Sequence, residues 1–387
     1  MSEAPHPALL PTGMHDLLPP EAEIEARVVA QLMGTLTAHG YQRVKPPLVE
    51  FEETLFAGAG AAMATSTFRT MDPVSHRMIG VRADMTPQIA RIAATRLGGA
   101  PRPLRLSYAG QVLRVRGSEI RPERQIGQVG AELIGAAGPA PDVEAIAVAS
   151  GALAALGVPH LTVDITLPTL VPAIAEAYDM GGERAAALRA ALDHKDTAAV
   201  TALAGKAGQL LEQLLLAAGP AAATLATLDR LDLPERARGE RERLGAVLDG
   251  LTAAAPELKV TVDPIENRGF EYHTGISFTF FAGGSAAHGP FGELGRGGRY
   301  DAGDPAAPEP ATGFTLYTDT ILGVLPEARA PSRVLLPFGA DRSRASTLRG
   351  AGWVTVAALA PVGDWRAEAR RLGCSHVLEG DNPAAVG

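Results

Sequence analysis

The sequence predicts an α+β protein: an antiparallel sheet flanked by helices, carrying a helical insertion and ending in a small α/β unit. Three observations support this. The even positions Leu106, Tyr108, Gly110 and Val112 alternate with Ser107, Ala109 and Gln111, and a second such run covers 125–135 beyond a polar stretch with Gly117 and Pro122. Two alternating runs around a polar connection describe an antiparallel hairpin. Residues 169–256 are Ala- and Leu-rich and broken at Gly181-Gly182 and Pro220, which describes a set of helices. From 331 onward, short apolar runs alternate with helical spacing.

Taken in order, Ile24, Val28, Leu32 and Leu36 form an i, i+4 stripe after Pro19-Pro20 and before Gly40, so 21–39 is expected to be a helix with one buried face. Residues 41–49 read as extended chain, and Pro46-Pro47 confines such a strand to an edge or a terminus. A second helix is expected at 142–156, closed by Gly157. A strand at 161–167 follows, with Val163, Ile165 and Leu167 set against Thr162, Asp164 and Thr166. Strand signals resume at 258–262 and 276–281. Residues 305–310 read as a Pro/Ala loop and 311–325 as helix-like. In the tail a buried strand (334–338), a helix (341–350), a strand (353–358) and a helix (364–372) follow one another. The expected units are 1–168 and 257–330 as two parts of one core, 169–256 as the insertion, and 331–387 as the separate small unit.

Composition narrows the function. With 387 residues, about two to three domains are expected. Apolar residues are 46%, charged residues 20%, and the mean hydropathy of +0.08 is that of a folded, water-exposed chain. The net charge of −8 opposes non-specific attraction to phosphate backbones, so nucleic acid is not the expected main partner. One cysteine, Cys374, excludes an intrachain disulfide and Cys-rich metal sites. No secretory signal or membrane-spanning run is visible, and a cytoplasmic protein is expected. The nine histidines show no HxH or HExxH spacing, and the phosphate-loop, serine-elbow and dinucleotide motifs are missing. No metal or cofactor is expected.

The remaining signal is a set of charged and polar residues at strand positions. It comprises Arg82-Ala83-Asp84-Met85-Thr86, Arg114-Val115-Arg116, Gln125 to Glu132, and Asn267 to Gly275 with Arg268, Tyr272 and His273. Gln128 and Glu132 share parity, hence one face. Charges on a sheet are costly to bury without partners, so such a face implies either a ligand or a salt-bridge network. Arg114 or Arg116 alone fits a solvated strand end, and Tyr272 with His273 fits a core pair equally well. The joint pattern favours a ligand, and an amino acid suits it. The ammonium of such a ligand wants carboxylates and its carboxylate wants arginine.

On these residues, and on Arg268-Gly269-Phe270-Glu271-Tyr272 and Gly297-Gly298-Arg299-Tyr300-Asp301, the chain resembles the histidyl-tRNA synthetase catalytic core over roughly 10–325. The resemblance implies a class II aminoacyl-tRNA synthetase-like fold with a histidine pocket. In that pocket Asp84, Thr86, Gln128 and Glu132 take the amino-group side, Arg114 and Arg268 the carboxylate, and Tyr272 with His273 the imidazole. The departures bear on activity. Where the family holds ATP with Arg-x-Glu and a later arginine, this chain has Arg114-Val115-Arg116 and Thr320, and bulky Tyr317 replaces a glycine. Losing one electrostatic donor of a transition-state site costs ~10²–10³ in rate, so adenylation is expected to be very weak.

The wording of Asp84-Met85-Thr86-Pro87-Gln88 and of Gly127 to Glu132 is more similar to a paralogous family, the ATP phosphoribosyltransferase regulatory subunits of histidine biosynthesis. That resemblance implies a non-catalytic subunit that partners the short-form ATP phosphoribosyltransferase catalytic chain, with histidine as feedback effector and with no tRNA or membrane partner. It also implies a homodimer formed through 41–51 within a hetero-oligomer. The alternatives are an active histidyl-tRNA synthetase, or a histidine sensor with another partner.

Overall fold

The computed structural model describes residues 9–117, 122–266, 272–283, 292–304, 306–326 and 331–386. The chain divides into two compact units, Met1–Pro326 and Glu327–Gly387. The helix Glu21–Ala38 opens the first unit, with Glu21 and Glu23 in its first turn, where carboxylates suit the helix dipole. It buries Val28, Leu32, Met33 and Leu36, so of the expected stripe only Ile24 is left half-buried, and Met33 joins it. Gly40 follows at φ +83°, a conformation that costs a glycine little.

Among the described residues the main sheet has nine strands. In spatial order they are Gln42–Arg43, Leu104–Leu113, Gln125–Ile134, Ala307–Tyr317, Gly292–Asp304, His273–Ala282, Leu161–Thr166, Lys259–Asp263 and Gly219–Pro220. The five strands from Leu104–Leu113 to His273–Ala282 pair antiparallel, and Gln42–Arg43 joins the edge in parallel and ends before Pro46-Pro47. The hairpin register sets Leu106 opposite Glu132 and Gly110 opposite Gln128. A smaller three-stranded sheet, Val49–Phe51, Met78–Val81 and Arg69–Met71, was not expected from the sequence.

One expected element is overturned. Residues 305–310 and 311–325 were expected to be a loop and a helix, whereas Ala307–Tyr317 is a strand and only Thr318–Val324 is helical. Ala307–Tyr317 lies between two partners, and the continuous stretch Ala311–Tyr317 is buried on both faces. A strand covered on both faces loses the apolar/polar alternation that would reveal it. Its partner Gly292–Asp304 was hidden by glycine. A Cβ at Gly295 or Gly297 would strike the backbone of the neighbouring strand, so these glycines permit pairing at close approach.

One face of the sheet is covered by the helices Glu21–Ala38 and Ala140–Ala155 and by those between Leu170 and Ala254. Their Leu32, Ile146, Leu211 and Val247 share one buried cluster with Val163, Ile165 and Phe278. A second cluster, with Met85, Ile89, Tyr108 and Tyr317, lies where the helix Thr86–Thr95 packs. The C-terminal unit has strands in the order Val354–Ala357, Arg333–Leu336, His376–Glu379 and Asn382–Ala385, with the helices Arg342–Gly350 and Trp365–Arg371. The last two strands are additional to those expected. No helix of the described residues is long and apolar enough to cross a membrane.

Candidate functional site

The site is built on the sheet face formed by four adjacent strands. Alternation directs Tyr108, Glu132, Gly313 and Tyr300 to the same side, each from its own strand. Glu132 is 1% exposed. Three hydroxyls bond it: Thr86 Oγ1 and Tyr300 OH, each at 3.0 Å, and Tyr108 OH at 3.3 Å. Burial, aided by the nearby Asp84 charge, pushes its carboxyl up to about 8, outweighing those hydroxyls. Burial pushes the phenols of Tyr108, Tyr272 and Tyr300 up, helped by Glu132 in all three and by Asp84 in the first two, so all three stay protonated. Glu132 fits only because Gly313 stands opposite it, since a Cβ there would overlap its carboxylate.

Asp84 is held in the segment before the helix Thr86–Thr95. Its Oδ1 accepts from Thr86 N at 2.9 Å and its Oδ2 from Gln128 Nε2 at 2.9 Å, while Gln128 Oε1 accepts from Met85 N at 3.1 Å. Gln128 thereby ties the hairpin to the Asp84 turn. Arg82 plays a different part. It donates to the carbonyls of Gln111 and Pro46 and anchors backbone.

The resulting cavity, partly open to solvent, is lined by Asp84, Thr86, Arg114, Glu132, Tyr272 and His273 together with Arg296, Tyr300, Thr315 and Tyr317. Tyr272 stacks on His273 with centroids 4.2 Å apart and meets Tyr300 edge-on at 6.1 Å. A Cβ at Gly298 would overlap the His273 ring, so that glycine makes its space. Of the expected residues, six line one cavity and Gln128 reaches it through Asp84. Arg268 lies outside the described residues. Arg296 and Tyr108 were not singled out as site residues, although Arg296 directly precedes the Gly297 to Asp301 segment and shares parity with Tyr300.

The histidyl-tRNA synthetase family model matches residues 13–321. The chain is 56% identical over 377 residues to the ATP phosphoribosyltransferase regulatory subunit of Rhodospirillum centenum, covering 97% of this chain and 96% of that one. With the same subunit of Paramagnetospirillum magneticum the identity is 55% over 386 residues, covering 100% of both. The chain belongs to the ATP phosphoribosyltransferase regulatory subunit family. The fold agrees. A solved structure from Bacillus halodurans, described as an ATP phosphoribosyltransferase regulatory subunit/histidyl-tRNA synthetase, superposes with TM-score 0.79 at 24% identity, covering 95% of this chain and 97% of that one.

Membership in the regulatory subunit family makes this a regulatory chain rather than an aminoacylating enzyme. The three departures lie as follows. Arg116 is exposed just past the hairpin strand. Tyr317 is 1% exposed and fills space within the apolar cluster of Met85, Tyr108 and Ile126. Thr320 turns its hydroxyl back to the carbonyl of Tyr317 at 3.2 Å.

Proposed function

We propose that this chain completes a short-form ATP phosphoribosyltransferase in the cytoplasm, and that its sheet-face cavity takes histidine as the feedback effector. The observation that carries the effector reading is the convergence of Asp84, Thr86 and Glu132 with Arg114 and the Tyr272–His273 pair around one cavity. An acidic end suits the ammonium, a cationic residue the carboxylate, and an aromatic shelf the imidazole. Gln128 orients Asp84 in this reading, and Arg268 joins the carboxylate side. An ammonium seated between Asp84 and Glu132 would draw off the proton that burial keeps on Glu132. Effector binding would then couple to proton release.

Residues 1–168 and 257–330 form the core that carries the cavity, 169–256 an inserted helical layer and 331–387 a separate unit. The chain pairs with a second copy through 41–51 within a larger hetero-oligomer, without tRNA. Leu48 and Val49, both exposed within that segment, support that contact. Histidine can shift the partner's activity only by its differential affinity for the active and inhibited assemblies.

The test is histidine inhibition of the complex reconstituted with its catalytic chain. Glu132→Gln should raise the histidine concentration for half-inhibition by about 10-fold or more, the loss of one charge-assisted bond, while sedimentation shows the assembly intact. Unchanged inhibition would put the effector site elsewhere.

A further inference from the structure

Asp84 and Glu132 make one side of the cavity acidic, and Arg296 lines the same cavity from the strand Gly292–Asp304. The register fixes their relation. Glu132 pairs with Gly313 and Arg296 with Thr315, so the carboxyl and the guanidinium flank the strand Ala307–Tyr317 two residues out of step. Strand spacing and rise put their Cα atoms about 12 Å apart, on the same face of the sheet. An amino acid carries its two charges about 3 Å apart, and a hydrogen bond of about 2.9 Å at each end extends that to about 9 Å. Two long side chains rising from one face across 12 Å can close on such a ligand.

Arg296 is also oriented. Its Nε donates to Glu293 Oε1 at 2.8 Å, and its guanidinium hydrogen-bonds the buried Tyr317 hydroxyl. With 34% of its side chain exposed, it combines a fixed position with access to the cavity. A planar guanidinium fork matches a carboxylate in two parallel bonds.

We propose that Arg296, set by Glu293 and Tyr317, reads the carboxylate of the amino acid held in this cavity, alongside Arg114. The inference rests on the effector reading above. It also gives Tyr317 a task, that of an arm which holds the guanidinium over the ligand.

The experiment is calorimetric titration of the full-length chain with histidine and with histidinol, which has the same amine and imidazole but an alcohol in place of the carboxylate. Arg296→Gln should weaken histidine binding by about 10- to 100-fold, the range of a charge-assisted bond, and leave histidinol binding within about 2-fold. Arg296→Lys should restore part of the loss, and Tyr317→Phe should lower histidine affinity several-fold without touching histidinol. These two variants decide the matter if Arg296→Gln does not fold. Unchanged histidine affinity, or equal losses for both ligands, would overturn the assignment while leaving the effector reading in place. Failure of the parent chain to bind histidine would remove both.

Discussion

At the scale of single residues, Glu132 sets the character of the site. Its carboxyl is raised to about 8 by burial, against an ordinary value of 4.5. Between those two values the folded chain holds a proton that the unfolded chain has released. The stability this gives is full below the ordinary value and is lost as pH rises through about 8. Glu132→Gln keeps an amide among the same hydroxyls and removes the titration. Its melting temperature should therefore fall less than the parent's between about pH 6 and about pH 9, and parallel declines would show that Glu132 is already ionised in the folded chain. Gln128 and Glu132 were legible in the sequence because polar groups at strand positions are rare enough to signal a purpose; Asp84 and Thr86 were singled out with them, but they lie just before and at the start of the helix Thr86–Thr95 rather than in a strand. Arg296 was not, since an arginine beside two glycines looks like any surface loop.

At the scale of elements, the strand Ala307–Tyr317 and the helix Ala140–Ala155 carry most of the geometry. Gly313 lies where any side chain would displace Glu132, which three hydroxyls hold in place. Gly313→Ala should cost about 1–3 kcal/mol in denaturant unfolding, the usual range for overpacking, and an unchanged midpoint would mean that Glu132 has room to move. The helix is fixed to the sheet by a buried pair. Asp142 accepts from Arg299 at 2.9 Å and from Thr312 Oγ1 at 2.7 Å, with side chains 0% and 7% exposed for Asp142 and Arg299. Asp142→Ala leaves that guanidinium buried without its carboxylate and should cost about 3–5 kcal/mol, again read from denaturant midpoints. A loss below about 1 kcal/mol would show that the carbonyls of Ala136 and Gly138 suffice for Arg299.

At the scale of the whole molecule, each compact unit has its own buried core. Leu335, Ala369, Cys374 and Val377 form one cluster in the C-terminal unit, separate from the clusters under the main sheet. A fragment ending at Pro326 should therefore melt cooperatively near the parent's main transition, whereas the C-terminal unit alone, with its small core, should be marginal at best. Loss of the fragment's cooperative transition would show that the first unit depends on the second. For pairing between copies, Leu48→Glu with Val49→Glu should shift the sedimenting species toward monomer, and an unchanged mass would move the contact off 41–51.

The sequence by itself determined the helix Glu21–Ala38, the hairpin of Leu104–Leu113 with Gln125–Ile134, and the polar residues that gather at the cavity. Each of these is written in a local period or in an unusual placement of charge. Only the tertiary structure decided that Gly292–Asp304 and Ala307–Tyr317 are strands, and that Arg296 and Tyr317 meet across them. A strand covered on both faces, or made of glycines, has no period of its own to read. Its conformation is imposed by the neighbours that take its hydrogen bonds, and those neighbours are far away in the chain.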